Sequence, residues 1–127
     1  MATGRRFLEH VLDLFSRVGP LTTGRMFSGT AIYVESDVMF ATILGDTVWM
    51  KSDESTRPVF EKAGSRPFTY DRKTGARQVT SLMSLPEYAM DDPDDAFYWA
   101  QIALPPARDA AAKKRARKAR KPGKGTR

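Results

Sequence analysis

The spacing of apolar residues predicts an amphipathic helix at the start of the chain. Apolar side chains recur every three or four residues from Phe7 to Val18, and charged residues such as Glu9 fall between them. Gly19-Pro20 ends the pattern, because proline cannot continue a helix. His10, the single histidine of the sequence, lies about 120° from the centre of the apolar stripe at 100° per residue. We therefore expect His10 to face water.

The next part of the chain is rich in β-branched and aromatic residues, which favour strands. After a loop through Gly24, three such runs follow at 30–34, 38–44 and 47–51. The segments between them are too short for a crossover helix, so the three strands are predicted to form an antiparallel meander. The apolar middle run is expected to lie at the centre of the sheet.

A short helix and a second hairpin are predicted next. The helix lies between Ser52-Asp53 and Gly64, and Pro58 is tolerated near its start. Two strands, at 67–70 and 77–82, then flank a turn that is rich in charged residues and contains glycine. The predicted sheet therefore has five strands.

A third helix is predicted to begin at Asp92, whose side chain suits a helix N-cap, and to run to Leu104. Pro105-Pro106 is expected to break it there. The predicted order is α-β-β-β-α-β-β-α. Such an order indicates an α+β fold of two layers, in which helices pack on one face of a five-stranded antiparallel sheet.

The basic residues are concentrated at the end of the chain. Residues 113–127 hold 9 of the 21 basic side chains and no acid, whereas residues 1–112 carry 12 basic and 15 acidic side chains, a net charge of −3. The chain is therefore divided into an α+β domain at 1–104 and a basic tail at 105–127. We expect the tail to contact nucleic acid without reading its sequence. The residues predicted to make this contact are Lys113, Lys114, Arg115, Arg117, Lys118, Arg120, Lys121, Lys124 and Arg127. A solvated tail that aids solubility is the alternative.

The third helix is apolar around nearly its whole circumference. Within Ala96–Leu104 only Gln101 lacks substantial apolar character. If one face packs on the sheet, Tyr98 and Ile102 point away from it. These two residues are expected either to lie under another element of the chain or to form an interface with a protein partner or a second copy.

The sequence offers little support for catalysis or metal binding. It contains no cysteine, which excludes disulfides and a thiol nucleophile and fits a reducing compartment. The acidic run Asp91–Asp95 is interpreted as helix capping rather than a calcium loop, and the glycines at 24–29 lack a phosphate-loop fingerprint. We predict no catalytic, cofactor-binding or metal-binding residue and no cofactor. No apolar run is long enough to cross a bilayer, so a cytoplasmic protein without a membrane partner is expected.

Several short segments resemble the N-terminal domain of the TfoX/Sxy competence regulators. The more specific ones are Arg25-Met26-Phe27-Ser28-Gly29 before a strand, with Ser28 where the family usually has glycine, and Pro67-Phe68-Thr69-Tyr70 after a helix that ends in glycine. Trp49-Met50-Lys51 and Pro86-Glu87-Tyr88 are also similar to the family, and the resemblance spans about residues 5–104.

The resemblance implies an α+β regulator that is not an enzyme. Members of this family promote transcription of DNA-uptake genes together with the cyclic-AMP receptor protein, and they carry a second, helical domain where this sequence has its basic tail. The leading hypothesis is a TfoX-like regulatory domain that binds proteins of the transcription machinery and touches nucleic acid through the tail. The alternatives are an RNA- or ribosome-associated accessory protein and, third, an enzyme with an unrecognised site.

Overall fold

The computed structural model of the chain describes residues 4–26, 28–72 and 75–120, which form a six-stranded sheet with three helices. The helices are α1 (Arg5–Leu14), α2 (Arg57–Lys62) and α3 (Pro93–Arg120). The strands are β1 (Leu21–Met26), β2 (Gly29–Val34), β3 (Val38–Leu44), β4 (Thr47–Lys51), β5 (Pro67–Arg72) and β6 (Gly75–Ser84). Short 3-10 turns occupy Ser16–Val18 and Glu87–Asp91.

The sheet is antiparallel throughout, with the strand order β1-β2-β3-β4-β6-β5. The α+β architecture, the meander and the second hairpin are confirmed. The prediction of five strands is wrong, because Leu21–Met26 forms an additional edge strand, paired with β2 from Leu21 opposite Val34 to Met26 opposite Gly29. Glycine and two exposed threonines weaken the strand pattern of this segment in the sequence. Hydrogen bonding to β2, rather than local propensity, makes it a strand.

All three helices share one hydrophobic core with strands β2, β3, β4 and β6. Phe15, which follows α1, meets Phe40 of β3 edge to face with ring centroids 5.3 Å apart. Phe60 of α2 lies 4.8 Å from the ring of Trp99 in α3. The fully buried Met50 and Met83 face this core from the two neighbouring strands β4 and β6. Aromatic contacts thus join each helix to the sheet or to another helix.

Helix α3 is far longer than the sequence pattern predicts. It continues through Pro105 and Pro106 to Arg120, so the predicted end at Leu104 is wrong. Each proline removes one helical hydrogen bond, but Ala107 and Ala111 are buried in the common core and Pro106 is buried as well. Tertiary packing therefore offsets the cost of the prolines. The division of the chain at residue 104 stays a prediction, and α3 crosses it without a break.

Candidate functional site

The basic part of α3 projects into solvent. All side chains from Ala112 to Ala119 are exposed, and this segment contains five of the basic residues predicted to contact nucleic acid. Among the described residues, Lys114, Arg117 and Lys118 form no ion pair. Arg120 is the last residue of α3, and the predicted contacts Lys121, Lys124 and Arg127 lie outside the described residues. The structure thus places residues 105–120 of the predicted tail in helix α3.

Two acidic residues of the β2–β3 turn hold this helix against the sheet. Arg108 donates hydrogen bonds to both carboxylate oxygens of Glu35, with its Nη2 2.6 Å from Oε2. The hydrogen bond from Arg108 lowers the pKa of Glu35 below its ordinary value. Arg115 forms a second ion pair, with Asp37. Sequence reasoning missed both acids, because nothing local to the turn reveals a partner more than seventy residues away.

Two exposed tyrosines lie at the other end of α3, Tyr98 in the helix itself and Tyr88 in the 3-10 turn before it. Tyr98 is 55% exposed and Tyr88 is 57% exposed, and both contact the buried Trp99. The Trp99 indole Nε1 donates a hydrogen bond to the Tyr88 hydroxyl at 3.0 Å. The Tyr98 ring lies edge to face with the Trp99 ring at 5.3 Å. Trp99 therefore contacts both tyrosines. We call Tyr88 and Tyr98 the aromatic patch.

The aromatic patch differs from the interface predicted from sequence. Tyr98 is exposed rather than covered by another element of the described chain, whereas Ile102 is half-buried and packs against the hydrophobic core. Tyr88 takes its place beside Tyr98. No sequence pattern identifies Tyr88, because it lies in a 3-10 turn before α3 and reaches the patch only through the hydrogen bond from Trp99.

His10 is exposed, as predicted, and it holds α1 against the turn before α3. Its Nε2 lies 2.8 Å from the carbonyl oxygen of Met90 and 3.8 Å from a carboxylate oxygen of Asp91. Because a carbonyl oxygen only accepts hydrogen bonds, this contact places a proton on Nε2. No nucleophilic hydroxyl is hydrogen-bonded to His10 among the described residues. His10 therefore makes a surface contact that joins α1 to the turn before α3.

The acidic run before α3 caps the helix. The Asp92 carboxylate accepts hydrogen bonds from the backbone N–H groups of Asp94, at 2.9 Å, and Asp95, at 3.3 Å. Desolvation, followed by the nearby charges of Asp92 and Asp94, raises the pKa of Asp95. Within residues 4–26, 28–72 and 75–120, no three acidic or histidine side chains converge as metal ligands would. The capping interpretation of Asp92 is confirmed.

None of the helices described by the structure combines the length and the apolar character needed to cross a bilayer. This holds for α3 as well, although it has 28 residues. Its second half carries a basic side chain at most positions that are not alanine.

Comparison with known proteins identifies the family. No curated protein sequence matches the chain at a significant level. A family model described as the TfoX N-terminal domain matches residues 13–107, a range that begins in α1, contains the whole sheet and reaches past both prolines of α3. The match covers about three quarters of the chain and agrees with the segments around Gly29 and Pro67 that resemble the family in sequence. The chain therefore belongs to the TfoX N-terminal domain family.

Proposed function

We propose that this chain is a regulatory domain that acts by binding rather than by catalysis, with one contact surface on the second half of α3 and another at the start of this helix. The basic residues from Lys113 onward contact the phosphates of nucleic acid. The aromatic patch contacts a protein of the transcription machinery. Family membership supports the regulatory role, and the placement of the two surfaces supports a domain that brings a protein and a nucleic acid together.

One observation carries the nucleic-acid half of the proposal: α3 presents its basic side chains on an ordered, exposed helix beyond a body of opposite charge. Residues 1–112 have a net charge of −3, so the body as a whole does not attract a duplex, and the basic residues from Lys113 onward supply the attraction. At 100° per residue, the basic side chains from Lys113 to Lys118 cover a broad face of this helix, which is available to the phosphates of a nucleic acid. Residues 105–127 contain no aromatic side chain, so contact through base stacking is not expected.

The aromatic patch supports the protein half of the proposal. Tyrosines are common in protein interfaces, because they bury a large ring and keep a polar hydroxyl. Here Trp99 holds both rings in place, so little side-chain entropy is lost when a partner covers them. The patch also lies at the start of α3 and in the 3-10 turn before it, far from Lys113 along the chain.

The nucleic-acid half is tested by measuring duplex DNA binding as a function of salt, using fluorescence anisotropy. Replacing Arg117 and Lys118 with glutamine should weaken binding and reduce the slope of log K against log salt concentration by about 2, since each phosphate contact contributes about 0.9. The matched control replaces Arg6 and Lys62 with glutamine, which removes the same charge from exposed positions on the body. Equal effects of the two double variants would contradict the proposal. Tighter binding of RNA than of duplex DNA would contradict the proposed role in transcription.

The protein half is tested by affinity capture from a nuclease-treated lysate. The wild type should retain a subunit of the transcription machinery that Tyr98→Asp loses. Glu61→Gln changes charge at another exposed position and should retain the same protein. Loss of capture on nuclease treatment alone would show that nucleic acid bridges the two proteins, and the aromatic patch would then have no direct role.

A further inference from the structure

A cleft of about 330 Å³ lies where the second half of α3 meets the sheet. Strands β1 to β4 each contribute to one side, through Met26, Tyr33, Met39 and Lys51 among others, and alanines of α3 form the other side. The volume is at the small end of the range for small-molecule sites. The cleft is distinct from the aromatic patch, and among the described residues it shares only Lys114 with the exposed basic segment of α3.

Three cationic side chains line this cleft: Arg25, Lys51 and Lys114. In the described part of the chain, none of them forms an ion pair with an acid or a hydrogen bond to one. The acid in the lining, Asp37, is paired with Arg115. Residues 113–127 contain no Asp or Glu that could supply a counter-ion. The cleft therefore has an excess of positive charge.

Lys51 is the most unusual of the three cations. It ends β4, an interior strand, and its side chain is half-buried rather than extended into water. Burial, and then the charge of Lys114, lowers the pKa of Lys51. Holding an ammonium group there without a counter-ion costs free energy. A bound anion would remove this cost, because it would pair with both lysines.

The remaining walls are apolar. Met26, Tyr33 and Met39 are half-buried around the cleft, and the alanines of α3 leave room beside them. Methionine and tyrosine side chains pack well against flat rings, since the thioether is polarisable and the ring can stack. A ligand that fits both halves of the cleft thus needs an anionic end and an apolar end.

We propose that this cleft binds a small phosphate monoester that carries an apolar or aromatic group. The phosphate lies between Lys51 and Lys114, with Arg25 at its edge, and the apolar group lies against Met26, Tyr33 and Met39. A dianionic phosphate matches the excess charge better than a single carboxylate does, and its oxygens accept charge-assisted hydrogen bonds from several donors.

The probe for the test is phenyl phosphate, titrated into the full chain by isothermal titration calorimetry. We expect saturable binding of one molecule per chain, with a Kd of about 1 mM or below. Inorganic phosphate, which lacks the ring, and phenol, which lacks the charge, should each bind at least about tenfold more weakly. Phosphate that binds as tightly as phenyl phosphate, or the absence of saturable binding, would overturn the proposal.

Two variants and a matched control locate the site. Lys51→Met and Lys114→Gln should each raise the Kd for phenyl phosphate by about tenfold or more, as expected for the loss of a charge-assisted contact. Lys113→Gln removes the same charge from the neighbouring position, which is paired with Asp109 and does not line the cleft, and should change the Kd less than about twofold. Lys114 is exposed, so its variant tests the site even if Lys51→Met fails to fold. Equal weakening by Lys113→Gln would overturn the proposal.

The same variants separate this site from the proposed contact with nucleic acid. Lys51→Met should leave duplex DNA binding unchanged, and the double replacement of Arg117 and Lys118 should leave phenyl phosphate binding unchanged. If Lys51→Met weakens duplex binding as much as phenyl phosphate binding, the cleft is a subsite for the nucleic-acid backbone and the small-molecule proposal is wrong.

Discussion

Arg108 joins α3 to the β2–β3 turn by hydrogen bonds to both carboxylate oxygens of Glu35. Glu35 has a positive φ of 54°, so the turn presents its side chain from a left-handed conformation that most residues avoid. Both side chains are about half exposed, so solvent screens the pair and its contribution to stability is small. Its importance is positional, because it lies just beyond the two prolines and directs α3 along the sheet.

Two truncated forms of the chain test how far the buried part of α3 extends. Removing residues 105–127 should lower the free energy of unfolding by about 2–4 kcal/mol, because Ala107 and Ala111 lose their buried contacts and the ion pair with Glu35 is lost. Removing residues 113–127 takes away the exposed side chains of residues 113–119 and the pair with Asp37, and should cost less than about 1 kcal/mol. Urea denaturation measures both. Equal stability of the two truncated forms would contradict burial of Ala107 and Ala111.

Gly29 is required by a close approach between strands. A Cβ atom at Gly29 would lie 1.9 Å from the backbone carbonyl oxygen of Ile43, and a backbone atom of an interior strand cannot move aside without disturbing its neighbours. We expect Gly29→Ala to lower stability by about 1–3 kcal/mol or more. Gly4→Ala is the control, since nothing lies within 4 Å of its added Cβ, and it should keep the thermal midpoint of the wild type.

Trp49 should contribute strongly to stability from β4. It is 6% exposed, its ring meets Phe68 at 5.1 Å, and the Arg66 guanidinium lies 5.4 Å from the ring. Trp49→Ala is expected to cost about 3–5 kcal/mol. Trp49→Phe should cost much less, because the indole Nε1 has no hydrogen-bond partner within the described residues. Tyr98→Ala, at an exposed position, should stay within about 0.5 kcal/mol of the wild type.

Asp53 should make the stability of the α2 region depend on pH. Its carboxylate accepts hydrogen bonds from the hydroxyl and N–H groups of Ser55 and Thr56, and these bonds, led by the Ser55 hydroxyl, lower its pKa below the ordinary 3.8. Because the folded pKa is the lower one, the stabilisation is complete above 3.8 and is lost as the pH falls through the folded pKa.

Asp53→Ala tests this dependence. It should lower the free energy of unfolding by about 0.5–2 kcal/mol at neutral pH, and its difference from the wild type should shrink in strong acid. Glu54→Ala is the control, because no hydrogen bond of the Glu54 side chain is found among the described residues. Denaturation curves measured across the acid range give the difference in free energy of unfolding between the wild type and Asp53→Ala. A difference that stayed constant with pH would contradict the stabilising role of the Asp53 carboxylate.

Variants of Ile102 and Tyr98 distinguish an effect on folding from an effect on self-association through the aromatic patch. Ile102 is half-buried against the core, so Ile102→Asp should lower stability by about 1–3 kcal/mol. Tyr98→Asp should leave stability nearly unchanged. If two copies meet through the patch on a two-fold axis, light scattering at micromolar concentration gives a dimer for the wild type and a monomer for Tyr98→Asp. A wild-type monomer would contradict self-association.

Local patterns in the sequence were sufficient for much of the fold. The apolar spacing of α1, the short separators of the β2–β4 meander and the Asp92 cap of α3 each specify an element through neighbours in the chain, and each is found in the structure. The family also follows from sequence. The nucleic-acid role of Lys113 and its basic neighbours stays a prediction.

The sequence by itself determined the elements whose stability is local, the acidic body and the basic end. Only the tertiary structure decided the features that depend on distant partners. β1 is a strand because β2 supplies its hydrogen bonds, and α3 continues past Pro105 because the core buries Ala107 and the β2–β3 turn binds Arg108. The cleft beside Lys51 likewise forms only when four strands meet α3. In each case the free energy comes from contacts between residues far apart in the chain, which no short window of sequence contains.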